Sequence, residues 1–256
     1  MTNQPHFHVL VTRPKPQGEA LCQHLQAEGF DTVYLPAIEI QLLPDLSLLR
    51  QQIAQLDQYA WAIFVSRSAV LTSQAIHEQW PQLPPNLQIA AIGEGTAAAL
   101  KQAGIVVNLY PPAEWSSEGL LSLPALQNLA GKKVAVFCGV GGRELLVNRL
   151  QERGAEVIRF ISYQRCLPQI DMVPYRERLD QGQLDAMICT SFEGLANVQQ
   201  LFGQPTWLKL RKIPLVLISE RIMIQAKDFG FENCFLAKNA SHEGITQALR
   251  MIRNKR

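Results

Sequence analysis

The chain has 256 residues, of which 47% are hydrophobic and 18% charged, and its formal net charge is +2. These values describe a globular protein of one large or two modest domains. They argue against an intrinsically disordered chain, and so small a charge does not indicate nucleic acid or an acidic membrane as the partner.

In chain order, Val9 to Thr12 is an apolar run short enough for a buried strand, and it delivers Arg13. Gln17 to Glu28 has helical spacing with Gly29 as its stop, and Thr32 to Leu35 is the next strand. Pro36 and Pro44 bracket an alternating Ile38, Ile40, Leu42 pattern, which suits a connector strand. Leu46 to Leu56 is helical in spacing, and Trp61 to Val65 is a buried strand that ends on Ser66. A helix to about Trp80 follows, then the strand Leu87 to Ile92, which runs into Gly93-Glu94-Gly95-Thr96. Thr96 to Ala103 reads as a helix and Val106 to Tyr110 as a strand broken by Pro111 and Pro112. Ser116-Ser117-Glu118 then caps a helix from Gly119, with Glu118 as the carboxylate of a capping box.

The second half repeats this grammar. Val134 to Phe137 is a strand, Gly139, Gly141 and Gly142 form a tight turn, and Leu145, Leu146, Arg149 and Leu150 follow at helical spacing up to Gly154. Val157 to Tyr163 is a strand, and Ile161 to Leu167 occupies the place of the earlier connector. Ala186 to Cys189 delivers Thr190-Ser191, Leu215 to Ile218 delivers Ser219, and Cys234 to Ala237 precedes the cap Ser241-His242-Glu243, where Glu243 matches Glu118. Glu19 falls on Glu144, Leu21 on Leu146, Leu25 on Leu150, Gly29 on Gly154, Ser66 on Ser191 and Ser116 on Ser241, always at an offset of 125 residues. A constant offset at the same structural punctuation is the signature of an internal duplication. Strands alternating with helices make each unit α/β, so two doubly wound parallel-sheet domains are expected.

In such sheets ligands bind beyond the carboxyl ends of the strands, where free helix amides favour anions. Small polar residues and glycines collect at those ends here: Arg13, Ser66, Gly93, Thr96, Gly139, Arg143, Thr190, Ser191 and Ser219. Two domains facing each other would form a cleft of amide and hydroxyl donors, with Arg13 and Arg143 adding fixed charge, suited to a polycarboxylate or phosphate. Each Ser or Thr also serves as an ordinary helix cap. Tyr163 ends a strand beside a connector, from which its phenol could reach a cleft or simply pack.

Other chemistries find little support. The turn at Gly139 has Glu144 where a dinucleotide fingerprint needs its third glycine, and neither a GxSxG elbow nor a P-loop occurs. His6, His8, His24, His77 and His242 show no ligand spacing, and Cys22, Cys138, Cys166, Cys189 and Cys234 form no CxxC pair, so neither a metal nor a disulfide framework is expected. The start MTNQPHFHVL lacks the basic and apolar regions of a signal peptide, and no segment has the length of a membrane span, so cytoplasmic residence is expected.

VTRP at 11–14, FVSRSAV at 64–70, AIGEGTA at 91–97, GGREL at 141–145 and RGAEV with YQR between 153 and 165 together resemble the uroporphyrinogen-III synthase family, in its gamma-proteobacterial form. TSFEGL, LVLISER and KNASHEG extend the resemblance over essentially the whole chain. It implies two α/β domains joined by a two-stranded β-ladder, with residues 1–36 plus 168–256 in a discontinuous domain, 41–161 in the other, and 36–41 and 161–168 as the ladder. It further implies cyclisation of hydroxymethylbilane to uroporphyrinogen III with loss of water and inversion of ring D, without metal or cofactor, by a monomer in tetrapyrrole biosynthesis. A transient contact with hydroxymethylbilane synthase would accompany it. By position, Tyr163 matches the tyrosine proposed to assist departure of the hydroxyl. Arg13, Ser66, Thr96, Arg143 and Ser191 match polar positions of the substrate site. Cys138 stands where relatives often carry arginine, and Ser219-Glu220-Arg221 replaces a GPxT pattern. The competing expectations are a cytoplasmic two-domain binding protein for a small polyanion and a nucleotide-dependent enzyme on the same fold.

Overall fold

A computed structural model describes residues 6–76, 83–142 and 144–255. The chain begins β1 (His8–Val11), α1 (Gln17–Ala27), β2 (Asp31–Tyr34), β3 (Glu39–Leu42), α2 (Ser47–Ala54), β4 (Trp61–Phe64) and α3 (Arg67–Ile76). It continues β5 (Gln88–Ala91), α4 (Glu94–Gln102), α5 (Ser117–Leu121), β6 (Lys133–Gly139), α6 (Glu144–Glu152) and β7 (Glu156–Cys166). The remainder is α7 (Val173–Asp180), β8 (Ala186–Ile188), α8 (Phe192–Phe202), α9 (Thr206–Leu210), β9 (Leu215–Leu217), α10 (Glu220–Asp228), β10 (Cys234–Leu236) and α11 (His242–Arg253).

The chain divides into two compact units, Met1–Glu39 with Cys166–Arg256, and Ile40–Arg165. The first holds a sheet of order β10-β9-β8-β1-β2 with parallel neighbours throughout. The second holds the order β3-β7-β6-β4-β5, in which β7, β6, β4 and β5 are mutually parallel. The offset of 125 residues converts one order into the other, since β8 corresponds to β4, β1 to β6, β2 to β7 and β9 to β5. Each sheet therefore takes two strands from one copy of the repeat and its other matched strands from the second copy.

Each sheet is buried on both faces, as crossover helices require. In β1, Val9 and Val11 join Leu21, Leu25, Ile245 and Leu249 on one face, while Leu10 joins Leu195, Trp207 and Leu217 on the other. In β6, Ala135 and Phe137 pack with Phe64 and Phe160, and Val134, Val136 and Cys138 pack with Leu146 and Leu150. Phe64 and Phe137 lie stacked with centroids 4.3 Å apart. Gly29 and Gly154, the matched helix stops, both have positive φ, 76° and 84°, which only glycine adopts without strain.

Four expectations need correction. The predicted strand Val106 to Tyr110 makes only an isolated bridge, Ala90 to Leu109. The Asn108 side chain accepts the Ile89 N–H at 2.7 Å, a place that a backbone carbonyl would fill in a continued ladder. The strand expected to end at Tyr163 runs on to Cys166 as one 11-residue strand, β7, which takes in most of the connector Ile161 to Leu167, since nothing between Val157 and Cys166 is glycine or proline. Glu118 and Glu243 do not complete capping boxes. Ser116 and Ser241 cap α5 and α11 by accepting from Gly119 and Gly244, the third helical residue, which leaves each glutamate at the second position, where it meets the helix dipole. Finally, α7 and α9 are helices that the sequence pattern does not predict. The helix expected to reach Trp80 is described to Ile76, and the rest lies outside the described residues.

Candidate functional site

The second unit carries a cavity of about 340 Å³ at the carboxyl ends of β4, β5, β6 and β7. Val65, Ser66, Ile92, Gly139, Gly141, Gly142, Tyr163 and Arg165 line it from those strand ends, and Trp115, Ser116 and Ser117 close one side.

Its central feature is a hydroxyl pair. The Tyr163 phenol and the Ser66 hydroxyl are 3.0 Å apart, although 97 residues separate them in the chain. They belong to β7 and to the end of β4, strands that lie on either side of β6. The bond spans β6 because the intervening residue is Gly139, where an added Cβ would come within 2.6 Å of Tyr163 Cε2 and 2.7 Å of Cζ. A register shift completes the arrangement. Cys138 pairs with Ile161 but Gly139 with Tyr163, so β7 carries one extra residue, Ser162. Such a bulge re-aims the side chains that follow it. Ile161 packs with Cys138 and Leu146, whereas Tyr163 packs on the opposite face with Phe64 and Phe137. Ser162 bonds Thr72 of α3 at 2.6 Å, which fixes the bulge, and Tyr163 is left only 3% exposed.

Ser66 also accepts the Ala69 N–H at 3.0 Å, so it caps α3 while facing the phenol. Either hydroxyl can donate across this bond, and in the arrangement where Ser66 donates to Tyr163 the phenol proton is left for an oxygen in the cavity.

The other predicted residues separate into groups. Gly139 lies in the cavity wall under the tyrosine ring. Gly93 is covered instead by Trp115, whose Cβ would sit 2.6 Å from an added Cβ. Thr96 is buried in the first turn of α4 and does not line the cavity. Arg143 lies outside the described residues. Arg13, Thr190, Ser191 and Ser219 belong to the other unit, beyond the ends of β1, β8 and β9. There Ser191 and Ser219 accept from Gly194 at 3.0 Å and Ile222 at 3.4 Å as helix caps. Arg13 Nη1 donates to the Ala240 carbonyl at 3.4 Å, and its own carbonyl accepts the Tyr34 phenol at 3.1 Å. Burial, with Glu19 adding to it, pushes the Tyr34 pKa up to about 12, so this phenol stays protonated at neutral pH. Cys138 is packed in the apolar cluster, and burial raises its thiol pKa. The position therefore offers no charge to a ligand.

Trp115, Ser116, Ser117 and Arg165 are cavity residues that the sequence does not single out. The serines are legible as a cap, but nothing in the local sequence shows that this cap borders the same cavity as Tyr163. Among the described residues no cluster of three His, Cys, Asp or Glu side chains could hold a metal, and no helix is long and apolar enough to cross a membrane. Among the described residues the cavity lining offers the Tyr163, Ser66 and Ser117 hydroxyls, the Gly141 amide and the Arg165 guanidinium, groups suited to orienting a carboxylate-bearing ligand, while the Ser116 hydroxyl donates to the Glu114 carboxylate at 2.9 Å.

A family model described as uroporphyrinogen-III synthase HemD matches residues 19–247. The chain is 36% identical to the uroporphyrinogen-III synthase of Escherichia coli K12 over 248 residues, covering 94% of this chain and 99% of that one. It is 34% identical to the enzyme of Salmonella typhimurium over the same share of each chain. Among solved structures, a mutant uroporphyrinogen III synthase of the extremely thermophilic bacterium Thermus thermophilus matches 98% of this chain and 100% of its own, with a TM-score of 0.65 at 18% identity. The Helicobacter pylori enzyme matches the same shares with a TM-score of 0.60 at 15% identity, and both likenesses concern the fold. With a family model spanning most of its length and relatives matched almost end to end, the chain belongs to the uroporphyrinogen-III synthase family.

Proposed function

We propose that this protein cyclises hydroxymethylbilane to uroporphyrinogen III. The observation that carries the residue-level reading is the Tyr163–Ser66 pair, a phenol aimed into a cavity of donors. Loss of the terminal hydroxyl from the linear tetrapyrrole leaves an azafulvenium electrophile. Attack at the substituted carbon of ring D gives a spiro intermediate, which fragments and recloses with that ring inverted. Tyr163 donates to the departing hydroxyl oxygen, and Ser66 supplies a hydrogen bond to the phenol oxygen as its proton leaves. Gly139 keeps the path between them open.

Much of the catalytic task is conformational, since a flexible chain must be held in one folded pose. The backbone amide at Gly141, the Ser117 hydroxyl and Arg165 are suited to the carboxylates of the part of the substrate that enters the cavity. Thr96 and Arg143 are assigned to the same substrate, and Arg13, Thr190, Ser191 and Ser219 form a second set of carboxylate contacts. The segments 36–41 and 161–168 act as the ladder joining the domains. The reaction needs no metal or cofactor, and the enzyme works as a monomer in the cytoplasm, receiving substrate through a transient contact with hydroxymethylbilane synthase.

The test is isomer analysis. Purified protein is added to hydroxymethylbilane generated in place, and the oxidised porphyrins are separated by chromatography. Type III as the main product is expected. Type I alone, the product of unassisted closure, would overturn the assignment and favour a polyanion-binding protein.

A further inference from the structure

Trp115 is an exposed large aromatic, 54% accessible, and it forms a wall of the cavity that holds Tyr163 and Ser66. It immediately precedes the cap of α5, a position where an apolar side chain often staples onto the helix. The staple partner would be Leu120, which is fully buried in an apolar cluster, whereas most of the indole stays accessible. The matched helix entry in the second copy, before Ser241, makes do with Ala240. With more than half of its surface accessible and an alanine at the matched entry, the indole is larger than this turn requires.

The chain at residue 115 packs closely against Gly93 and so fixes where the indole starts. Gly93 lies directly beneath it, and an added Cβ there would come within 2.6 Å of Trp115 Cβ and 3.0 Å of Cγ. Gly93 has φ and ψ both at 178°, an extended backbone that any residue adopts, so its glycine is required by space and not by conformation. The cavity is also small. At about 340 Å³ it lies near the bottom of the range of roughly 300–1,000 Å³ typical of ligand pockets, which is room for part of a tetrapyrrole and not for all of it.

We propose that Trp115 is a substrate-positioning residue, the face on which one pyrrole ring stacks as it enters the cavity. This rests on the synthase reading. A pyrrole is an electron-rich planar ring whose substituents carry the carboxylates. An indole wall binds its face while Ser117 and Arg165 meet the substituents at its edge. Stacking of this kind tolerates either orientation of the ring, which suits a reaction that inverts one.

Steady-state kinetics with hydroxymethylbilane test the proposal, alongside product isomer and melting temperature. Trp115→Ala should raise KM about tenfold, the range of a lost aromatic stack, with kcat little changed. Trp115→Phe keeps a ring face and should recover most of that loss. Gly93→Ala would press on the Cβ and backbone of residue 115 and shift the indole out of position, so its KM should rise as well. Melting temperature should hardly move for Trp115→Ala, because the side chain is exposed. An unchanged KM in Trp115→Ala, or equal losses in the Phe and Ala variants, would overturn the stacking role while wild-type type III product left the synthase assignment standing. Wild-type protein that yields only type I would instead remove the assignment and this inference with it.

Discussion

At the residue scale, the site depends on what is missing as much as on what is present. The phenol of Tyr163 reaches Ser66 only because Gly139 has no side chain between them. Tyr163→Phe removes the proposed donor and should lower turnover about a hundredfold, the usual size of a general-acid effect. Its cost in stability should be about 1 kcal/mol, that of one buried hydrogen bond. Gly139→Ala should produce a comparable loss of turnover with Tyr163 intact, because its methyl group forces the ring away. Unchanged kinetics in both variants would remove the hydroxyl pair from the chemistry. The tyrosine is legible in the sequence as a strand end that either packs or reaches a cleft. Its bond to Ser66 is not, because the partner lies 97 residues upstream and a single bulge decides which face the ring occupies.

At the element scale, the same serine does two jobs, and its copy shows how to separate them. Ser66 and Ser191 stand at matched positions, and each accepts from an N–H three residues on. Ser191→Ala should cost about 1 kcal/mol through the lost cap of α8, measurable by denaturant unfolding. If Ser191 also holds a substrate carboxylate, KM rises as well. A stability loss with unaltered KM would make it a cap alone. Caps, glycine stops and apolar strands are legible for most elements because each is specified within a few residues. The strand expected around Leu109 fails for a reason outside that window, since the Asn108 side chain takes the place of a ladder bond to Ile89. The helix α7 escapes a periodicity reading because its face is mainly charged, and only Leu179 among its residues is buried.

At the scale of the whole molecule, the repeat in the sequence is not the unit that folds. A fragment of one repeat, residues 1–125, contains β1 and β2 but lacks β8, which pairs with β1 through Val9, Leu10 and Val11. It also lacks β6, the strand that β4 pairs with on one side. Such a fragment should not melt cooperatively. Residues 40–165, by contrast, contain β4, β5, β6 and β7 and both apolar clusters on the faces of their sheet, so this fragment should fold and unfold as one unit in a circular-dichroism melt. A cooperative repeat fragment together with a disordered 40–165 fragment would contradict this division. The sequence by itself determined the α/β class, the duplication and the polar residues at the strand ends, because periodicity, punctuation and capping are local. Only the tertiary structure decided which copy each strand pairs with, that Tyr163 meets Ser66 across Gly139, and that Trp115 rests on Gly93. Those outcomes depend on strand order, register and free space, and residues distant in the chain settle them only once the sheet has assembled.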